Sequence, residues 1–230
     1  MLQQRLGLSL TTIRPLGGWT PISEPCLVAW YEHNAGVTTG ASPTFLVSAW
    51  DDQSTNNNHL RQTDLTEQPS NGTGVNKGTI TFDDTRPDSL DTTAQITLTG
   101  DITIGIRLNI TAAGKTIIAD NTSAGEFLKS VDTTNLRLKF DGNTVDLALD
   151  TGTLGDGYLV ITRASNEWEL WWDGVLQADT ETQSGTILID NVGVRRTDIN
   201  PFLGSFKEIQ IYSCSNAELT SDVITRLKSL

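Results

Sequence analysis

Three carboxylates lie in one short segment that also holds three of the chain's six tryptophans. They are Glu167, Glu169 and Asp173, in the sequence E-W-E-L-W-W-D-G. Hydrolysis of a glycosidic bond with retention of the anomeric configuration needs two carboxyl groups about 5–5.5 Å apart, one on each side of the bond. Asp173, however, precedes Gly174 in a dipeptide that is typical of a type I′ hairpin turn. We therefore predict a solvated face with a turn aspartate, and no catalytic residues.

The ring of Trp171 is the aromatic group in this segment most suited to contact a ligand. Side chains alternate between the two faces of a strand, so Trp168, Leu170 and Trp172 share one face. That apolar face should point into a core, while Trp171 shares the opposite face with two glutamates. An exposed ring there can stack on a sugar or on a neighbouring subunit. The alternative is that both faces of the strand are covered.

A polar loop of sequence D-D-Q-S-T-N-N-N-H offers oxygen atoms to a cation. Asp51, Asp52, Asn57 and Asn58 carry the hard oxygen ligands that calcium prefers. The same residue types also form tight turns, because their side chains hydrogen-bond to nearby backbone. We predict no metal site and no cofactor, with calcium as the alternative. The four side chains remain candidates for contact with a glycan or a partner.

Other classes of chemistry find little support in the sequence. His33 and His59 lie in separate turn regions, and no zinc-binding, Ser-His-Asp or nucleotide-binding pattern is present. The formal net charge is −12 and the longest basic run is Arg195-Arg196, which disfavours binding to nucleic acid. No segment approaches the ~18 consecutive apolar residues of a membrane span, so we expect no membrane insertion.

Two cysteines, Cys26 and Cys214, are present. The first residues lack the features of a secretory signal, so we expect the chain not to be routed to secretion. We therefore expect two reduced, mostly buried thiols. A disulfide is the alternative, because the first and last strands of many sandwiches are neighbours.

Short apolar runs separated by Gly, Asn and Asp turns supply the framework for these residues. The apolar runs follow one another without the long intervening helices of a βαβ pattern. Asp141-Gly142 marks a second hairpin turn. This pattern predicts an all-β fold, an antiparallel sandwich of the jelly-roll type. A chain of 230 residues is long enough for one large domain of this kind, which we assign to residues 25–230.

The last residues, 215–230, predict the one helix. Ser215 and Glu218 fit a capping box, in which two side chains satisfy backbone N–H groups at the start of a helix. An apolar stripe then recurs at helical spacing through Leu219, Val223 and Leu227. This helix should lie against the sandwich.

The first residues, 1–24, show no sustained period and are broken by Gly and Pro. We predict an extended arm, because an apolar segment of this kind must fold back on its own domain or insert into a partner. The candidate docking residues are Leu8, Leu10, Ile13, Leu16 and Trp19.

Several segments in order carry a family resemblance: residues 29–31 (A-W-Y) with 33–37, 47–54 with 57–60, 80–84, 168–174 and 204–212. Over about residues 27–230 they resemble the laminin-G-like, concanavalin A-like lectin and glucanase jelly roll found in virion proteins of tailed phages. Hydrolases of this superfold carry Glu-x-Asp-x-x-Glu on one strand. The spacing around Glu167 differs from that motif, so the carboxylates do not map onto it.

The resemblance implies a non-enzymatic structural protein of a tailed-phage virion. It would decorate the capsid or form part of the tail, on the virion surface after assembly in the host cytoplasm. Its partners would be other virion proteins, held through the arm, and further copies of itself in a homo-oligomer. An alternative is a lectin-like tail-fibre or receptor-binding module that contacts host surface glycans through residues 51–59 or Trp171. A glycoside hydrolase is a third hypothesis.

Overall fold

The computed structural model describes residues 18–42, 44–72, 78–122, 125–195 and 199–230. After a short 3-10 turn (Pro21–Ser23), these residues form the strands β1 (Leu27–Glu32), β2 (Val37–Thr39), β3 (Val47–Trp50), β4 (Leu60–Arg61), β5 (Ser70–Asn71), β6 (Ile80–Phe82), β7 (Leu90–Leu98), β8 (Ile102–Ile110), β9 (Thr116–Ala119), β10 (Phe127–Ser130), β11 (Asn135–Phe140), β12 (Asn143–Ala148), β13 (Asp156–Ala164), β14 (Glu167–Trp172), β15 (Val175–Leu176), β16 (Glu181–Thr182), β17 (Ile187–Val192) and β18 (Gly204–Tyr212), and then the helix α1 (Ala217–Lys228).

The strands form two antiparallel sheets. Sheet A has the order β15-β14-β13-β8-β18-β6-β5, with β1 beside β18 and β16 beside β14. Sheet B has the order β12-β11-β10-β9-β17-β7-β4-β3-β2. Neighbours in space are often distant in sequence, as in a jelly roll. The predicted fold class, an all-β antiparallel sandwich with a C-terminal helix, is therefore confirmed.

The strand of three tryptophans presents one face to the space between the sheets, as its alternation predicts. Trp168 and Leu170 are fully buried, and Trp172 is 8% exposed. The ring of Trp168 lies 5.1 Å from that of Phe140, which comes from sheet B. An aromatic pair that spans both sheets contributes a large share of the apolar burial in the core.

Two-residue turns join the hairpins at the predicted places. Asp141-Gly142 and Asp173-Gly174 all have positive φ, between 48° and 79°, as a type I′ turn requires. The strand pairing on either side follows directly, with Phe140 opposite Asn143.

The two cysteines are joined, so the expectation of reduced thiols is wrong. Cys26 and Cys214 form a disulfide with Cα atoms 5.9 Å apart. The reason is topological: β1 pairs with β18, with Leu27 opposite Tyr212, and each cysteine flanks one of these strands. Both thiols are thereby brought to the same end of one strand pair.

The helix α1 covers part of the outer face of sheet A. Its buried stripe includes the predicted Leu219, Val223 and Leu227, which pack with Tyr158 and Val160 of β13. Gly105 of β8 lies directly beneath, and a Cβ atom there would stand 2.4 Å from Cγ1 of Val223. The missing side chain at this position thus lets the helix approach the sheet closely.

The predicted cap of this helix is wrong by one residue. The N-cap is Asn216, whose Oδ1 accepts a hydrogen bond of 2.9 Å from the backbone N–H of Leu219. Asn is as good an N-cap as Ser, and its backbone is extended, as the position requires. The capping box assigned to Ser215 therefore does not form in that register.

A buried ion pair fixes the far half of the helix to the sheet. Glu208 of β18 is fully buried, and its carboxylate accepts hydrogen bonds from Nε and Nη2 of Arg226, the latter of 2.8 Å. Trp30 Nε1 and Gln210 Nε2 also donate to Glu208 Oε1, at 3.1 and 2.6 Å. Burial raises the pKa of Glu208, and the hydrogen bonds and charge of Arg226 oppose that rise.

Candidate ligand-binding groove

An open groove lies between the outer face of sheet A and α1. Its volume is about 520 Å³, within the range of about 300–1,000 Å³ that is usual for small-ligand sites. The residues that line it are Thr162, Ala164, Glu169, Trp171, Gly174, Ser215, Asn216, Ala217, Thr220, Ser221, Ile224 and Thr225. One wall is therefore the sheet surface and the other is the polar side of a helix.

Trp171 forms the aromatic part of the sheet wall. It lies opposite Val160 of β13 and is half-buried, because one part of its surface packs on the apolar cluster beneath α1. The rest of the side chain borders the groove. The outer face of this strand is thus neither fully covered nor fully open, an outcome between the two alternatives left by the sequence.

The polar lining consists mainly of hydroxyl groups around one carboxylate. Thr162 and Glu169 are opposite each other on β13 and β14, with 3.5 Å between Thr162 Oγ1 and Glu169 Oε2. From the helix, the hydroxyls of Thr220 and Thr225 donate to main-chain carbonyls at 3.0 and 2.8 Å, which leaves their oxygens able to accept. Among the described residues that line the groove, Glu169 is the one carboxylate.

The loop of Asp51 to His59 is held by its own hydrogen bonds. Asp52 is 5% exposed, and each of its carboxylate oxygens has two donors. Oδ1 accepts from the backbone N–H groups of Trp30 and Ser54, at 2.9 and 2.8 Å. Oδ2 accepts from Ser54 Oγ at 2.6 Å and from the N–H of Asn58 at 3.0 Å. These are turn contacts, and a cation at Asp52 would have to displace them.

The other candidates in this loop have similar roles. Asp51 pairs with Arg61 at 2.7 Å, and Asn58 Nδ2 donates to the carbonyl of Val28 at 2.9 Å. Asn57 supplies the positive φ of the loop, 60°. None of these residues lines the groove, so the structure does not bring them together with Trp171. Within the described ranges, no group of three or more His, Cys, Asp or Glu is arranged to hold a metal ion.

The arm falls mostly outside the described residues, which begin at Gly18. Leu8, Leu10, Ile13 and Leu16 therefore lie outside them. Trp19 is described: its Nε1 donates to Glu24 Oε1 at 2.6 Å, and its ring packs against the cluster beneath α1. No helix in the described part of the chain has the length and apolar character needed to cross a bilayer.

The structure brings together one pair of carboxyl groups that sequence reasoning missed. Asp120 follows β9 and is 1% exposed, while Asp190 lies on β17, close enough for the two carboxyl groups to affect each other's protonation. Burial raises the pKa of Asp190 to about 6, the N–H of Asn121 opposes this, and the charges of Asp120 and Asp91 add to it.

The raised pKa of Asp190 predicts a pH dependence of stability. Between about pH 4 and pH 6 the folded protein keeps a proton that the unfolded chain has released, so this stabilisation is lost as pH rises through about 6. Relative to wild type, Asp190→Asn should therefore become more stable as pH rises from about 4 to 7. Urea unfolding at several pH values measures this difference.

A control for this effect is Asp132→Asn. Hydrogen bonds from Thr134 and Asn135 lower the pKa of Asp132, which gives a contribution of opposite sign. Asp132→Asn keeps Asp190, so this variant should lose stability between about pH 4 and 6 as wild type does. A pH-independent difference between Asp190→Asn and wild type would contradict the assignment.

Sequence reasoning found Trp171 but missed the residues that face it. Thr162 follows the apolar run from Tyr158 to Ile161 on β13, a weak signal of a polar site on the outer face of the strand. Ser221 and Thr225 lie on the polar side of α1, where almost any hydrophilic residue is accepted. Only the docking of the helix shows what these side chains face.

No protein-family model matches the chain, and no curated protein sequence matches it. Solved structures are similar to it in fold. One is a GH54 α-L-arabinofuranosidase soaked with a cyclic sulfate inhibitor (TM-score 0.59, 16% identity, 81% of this chain and 51% of that chain). Another is an arabinofuranosidase complexed with arabinofuranosyl-α-1,2-xylobiose (TM-score 0.53, 14% identity, 80% and 51%). A third is a Trypanosoma rangeli sialidase (TM-score 0.52, 12% identity, 90% and 33%).

This chain spans about half the length of the two arabinofuranosidase chains and a third of the sialidase chain. All three are carbohydrate-active proteins. At identities of 12–16% the likeness shows a shared sandwich fold.

Proposed function

We propose that this chain is a carbohydrate-binding sandwich module that holds a short glycan in the groove between sheet A and α1. The observation that carries this proposal is the position of Trp171, a half-buried ring at the wall of a groove lined with hydroxyls. A pyranose or furanose has an apolar face and a polar rim. A ring beside hydroxyl and carboxylate acceptors is complementary to both.

The fixed position of the ring favours affinity. Trp171 is held by its strand and by the apolar cluster under the helix, so little side-chain freedom is lost when a ligand binds. Glu169, close to Thr162, can accept hydrogen bonds from sugar hydroxyls, and such bonds to a charged acceptor are stronger than neutral ones. The likeness in fold to carbohydrate-active proteins agrees with this proposal but does not identify the ligand.

Binding is favoured over hydrolysis in this groove. Cleavage of a glycosidic bond needs a second carboxyl group at a defined distance from the first. The described lining supplies Glu169 alone, and Glu167, two residues earlier, is not part of the lining. The absence of an enzymatic activity therefore stays our prediction.

We expect Trp171→Ala to weaken glycan binding at least tenfold, which corresponds to about 1.4 kcal/mol. The loss follows from removal of the stacking surface at the wall of the groove. A glycan array with the wild-type chain identifies a ligand, and calorimetric titration then compares the two proteins. Trp171→Phe, which keeps a ring, should bind more tightly than Trp171→Ala.

A matched control is Val175→Ala, because Val175 is 64% exposed on the adjacent strand and does not line the groove. It should bind like wild type. Ser221→Trp tests the groove without touching Trp171, since a large side chain on α1 would fill the space. Normal binding by both Trp171→Ala and Ser221→Trp, or no glycan binding by wild type, would contradict the proposal.

The role in a phage virion stays a prediction that rests on the family resemblance. The same is true of the virion surface location, the homo-oligomer and the other virion proteins as partners. A carbohydrate-binding module displayed on a particle satisfies both hypotheses. Quantitative mass spectrometry of purified source particles would test the virion role separately from glycan binding.

A further inference from the structure

The groove between sheet A and α1 has a negative charge in its wall. Among the described residues that line it, Glu169 is the one with an ionisable side chain, and no lysine, arginine or histidine accompanies it. The other lining residues are neutral and include several with hydroxyl groups. A ligand in the groove therefore meets a carboxylate that no cation of the described wall compensates.

The carboxylate of Glu169 is open to a ligand. This half-buried side chain has one contact within the protein, with Thr162 Oγ1 at 3.5 Å from Oε2, which is at the long limit for a hydrogen bond. In the described part of the chain, Glu169 takes part in no ion pair. Both of its oxygens can thus accept hydrogen bonds from a bound molecule.

Two arginines on neighbouring parts of sheet A are engaged elsewhere. Arg163 follows Thr162 but points to the opposite face, where its guanidinium is buried and donates to the carbonyls of Gly100 and Gly185. Arg107 of β8 pairs with Asp156 at 2.6 Å. Neither arginine lines the groove.

Glu169 and Trp171 are placed to contact one sugar residue together. They share a face of β14 and are two residues apart, which is about 6.5 Å along a strand. A sugar ring stacked on Trp171 therefore has its polar rim within reach of the carboxylate. On the helix wall, the hydroxyls of Thr220 and Thr225 donate to main-chain carbonyls and so face the ligand as acceptors. The matching ligand group is a strong donor with a positive charge.

We propose that the groove selects glycans that contain an unacetylated amino sugar, whose ammonium group binds Glu169 while its ring stacks on Trp171. This inference rests on the proposed function and adds the class of sugar to it. An ammonium group has three donors and no acceptor, and its hydrogen bonds to a carboxylate are stronger than those of a sugar hydroxyl. A sugar with a carboxylate or a sulfate at this position is repelled by Glu169.

The test is a calorimetric titration of the full chain with four disaccharides that share one linkage. They are built from glucosamine, from N-acetylglucosamine, from glucose, and from glucose with a terminal glucuronate. At about pH 6, where an amine of this kind is protonated, the glucosamine disaccharide should bind about fivefold more tightly than the two neutral ones, and the glucuronate one most weakly. Added sodium chloride should reduce the advantage of the amine.

Two variants of equal charge locate the selectivity. Glu169→Gln keeps the shape of the side chain and removes its charge, so it should still bind the glucose disaccharide but lose the preference for the amine. Glu167→Gln is the matched control, because Glu167 is exposed on the same strand and does not line the groove. It should keep the preference. Butylamine, which has the charge without the sugar ring, should bind far more weakly than the glucosamine disaccharide.

The outcomes separate this inference from the proposed function. Equal affinity of wild type for the glucosamine and glucose disaccharides, or a preference that survives in Glu169→Gln, would overturn the amino-sugar inference alone. Butylamine that binds as tightly as the glucosamine disaccharide would also overturn it, because the groove would then recognise the cation without the sugar. The proposed function is contradicted only if no glycan on the array binds wild type or if binding does not depend on the groove.

Discussion

Removal of the disulfide should lower the free energy of unfolding by about 4–5 kcal/mol in the double variant Cys26→Ser/Cys214→Ser. The bond closes a loop with a sequence separation of 188, nearly the whole described chain. In the chain-entropy model, a bond that closes so long a loop restricts the unfolded chain strongly, so its removal stabilises the unfolded state. Urea unfolding of the variant and of wild type, both followed by far-UV circular dichroism, measures the difference.

Wild type in the presence of a reductant is the control, because it keeps both cysteine side chains. It should unfold at the same urea concentration as the double variant, well below oxidised wild type. A domain of this kind is stable by only about 5–15 kcal/mol, so a loss of this size is a large fraction of the total. Equal midpoints with and without reductant would show that the bond does not form in the protein.

The disulfide also bears on the groove. Cys214 is followed directly by Ser215 and Asn216, two residues that line the groove. The carbonyl of Cys214 accepts a 2.9 Å hydrogen bond from Thr103 Oγ1. The bond therefore anchors the segment from which α1 starts. A disulfide of this kind is typical of proteins that fold or act in oxidising surroundings.

The substitution Arg226→Met should cost about 3–5 kcal/mol of the free energy of unfolding. It leaves Glu208 fully buried without its charged partner, and an uncompensated buried charge is more costly than the loss of the pair itself. The same substitution removes two further interactions of Arg226. One is the ion pair with Glu32, at 3.2 Å, and the other is the cation–π contact with Trp30, in which the guanidinium lies 4.9 Å from the ring centroid. Urea unfolding at pH 7 measures the loss.

The double variant Glu208→Gln/Arg226→Met separates the buried charge from lost packing. It should recover much of the stability, because a neutral amide costs less to bury than a carboxylate. The loss in Arg226→Met should also shrink as pH falls. Burial raises the pKa of Glu208, so the folded form gains a proton on acidification before the unfolded chain does, and the buried charge disappears. A loss that is constant with pH would contradict this explanation.

These two anchors define the geometry of the candidate groove. The disulfide and Asn216 fix the start of α1, while Arg226 fixes its second half to sheet A. Between them, Gly105 allows close contact of helix and sheet. The space beside Trp171 exists because the helix is held at both places but lies mainly over β8 and β13.

The fold class could be predicted because its signals are local. Alternation placed Trp168 in the core and Trp171 on the outer face, and the backbone preference of Gly fixed the turns at Gly142 and Gly174. Each of these patterns involves residues that are close in the chain. The apolar stripe of α1 was evident for the same reason.

The sequence by itself thus determined a sandwich of short strands, its two-residue turns, its terminal helix and the outward direction of Trp171. Only the tertiary structure decided that Cys26 meets Cys214, that Asn216 caps the helix, and that the hydroxyls of α1 face Trp171. These arrangements depend on strand order and on helix docking, which bring together side chains from distant segments, and no local pattern encodes which segments meet.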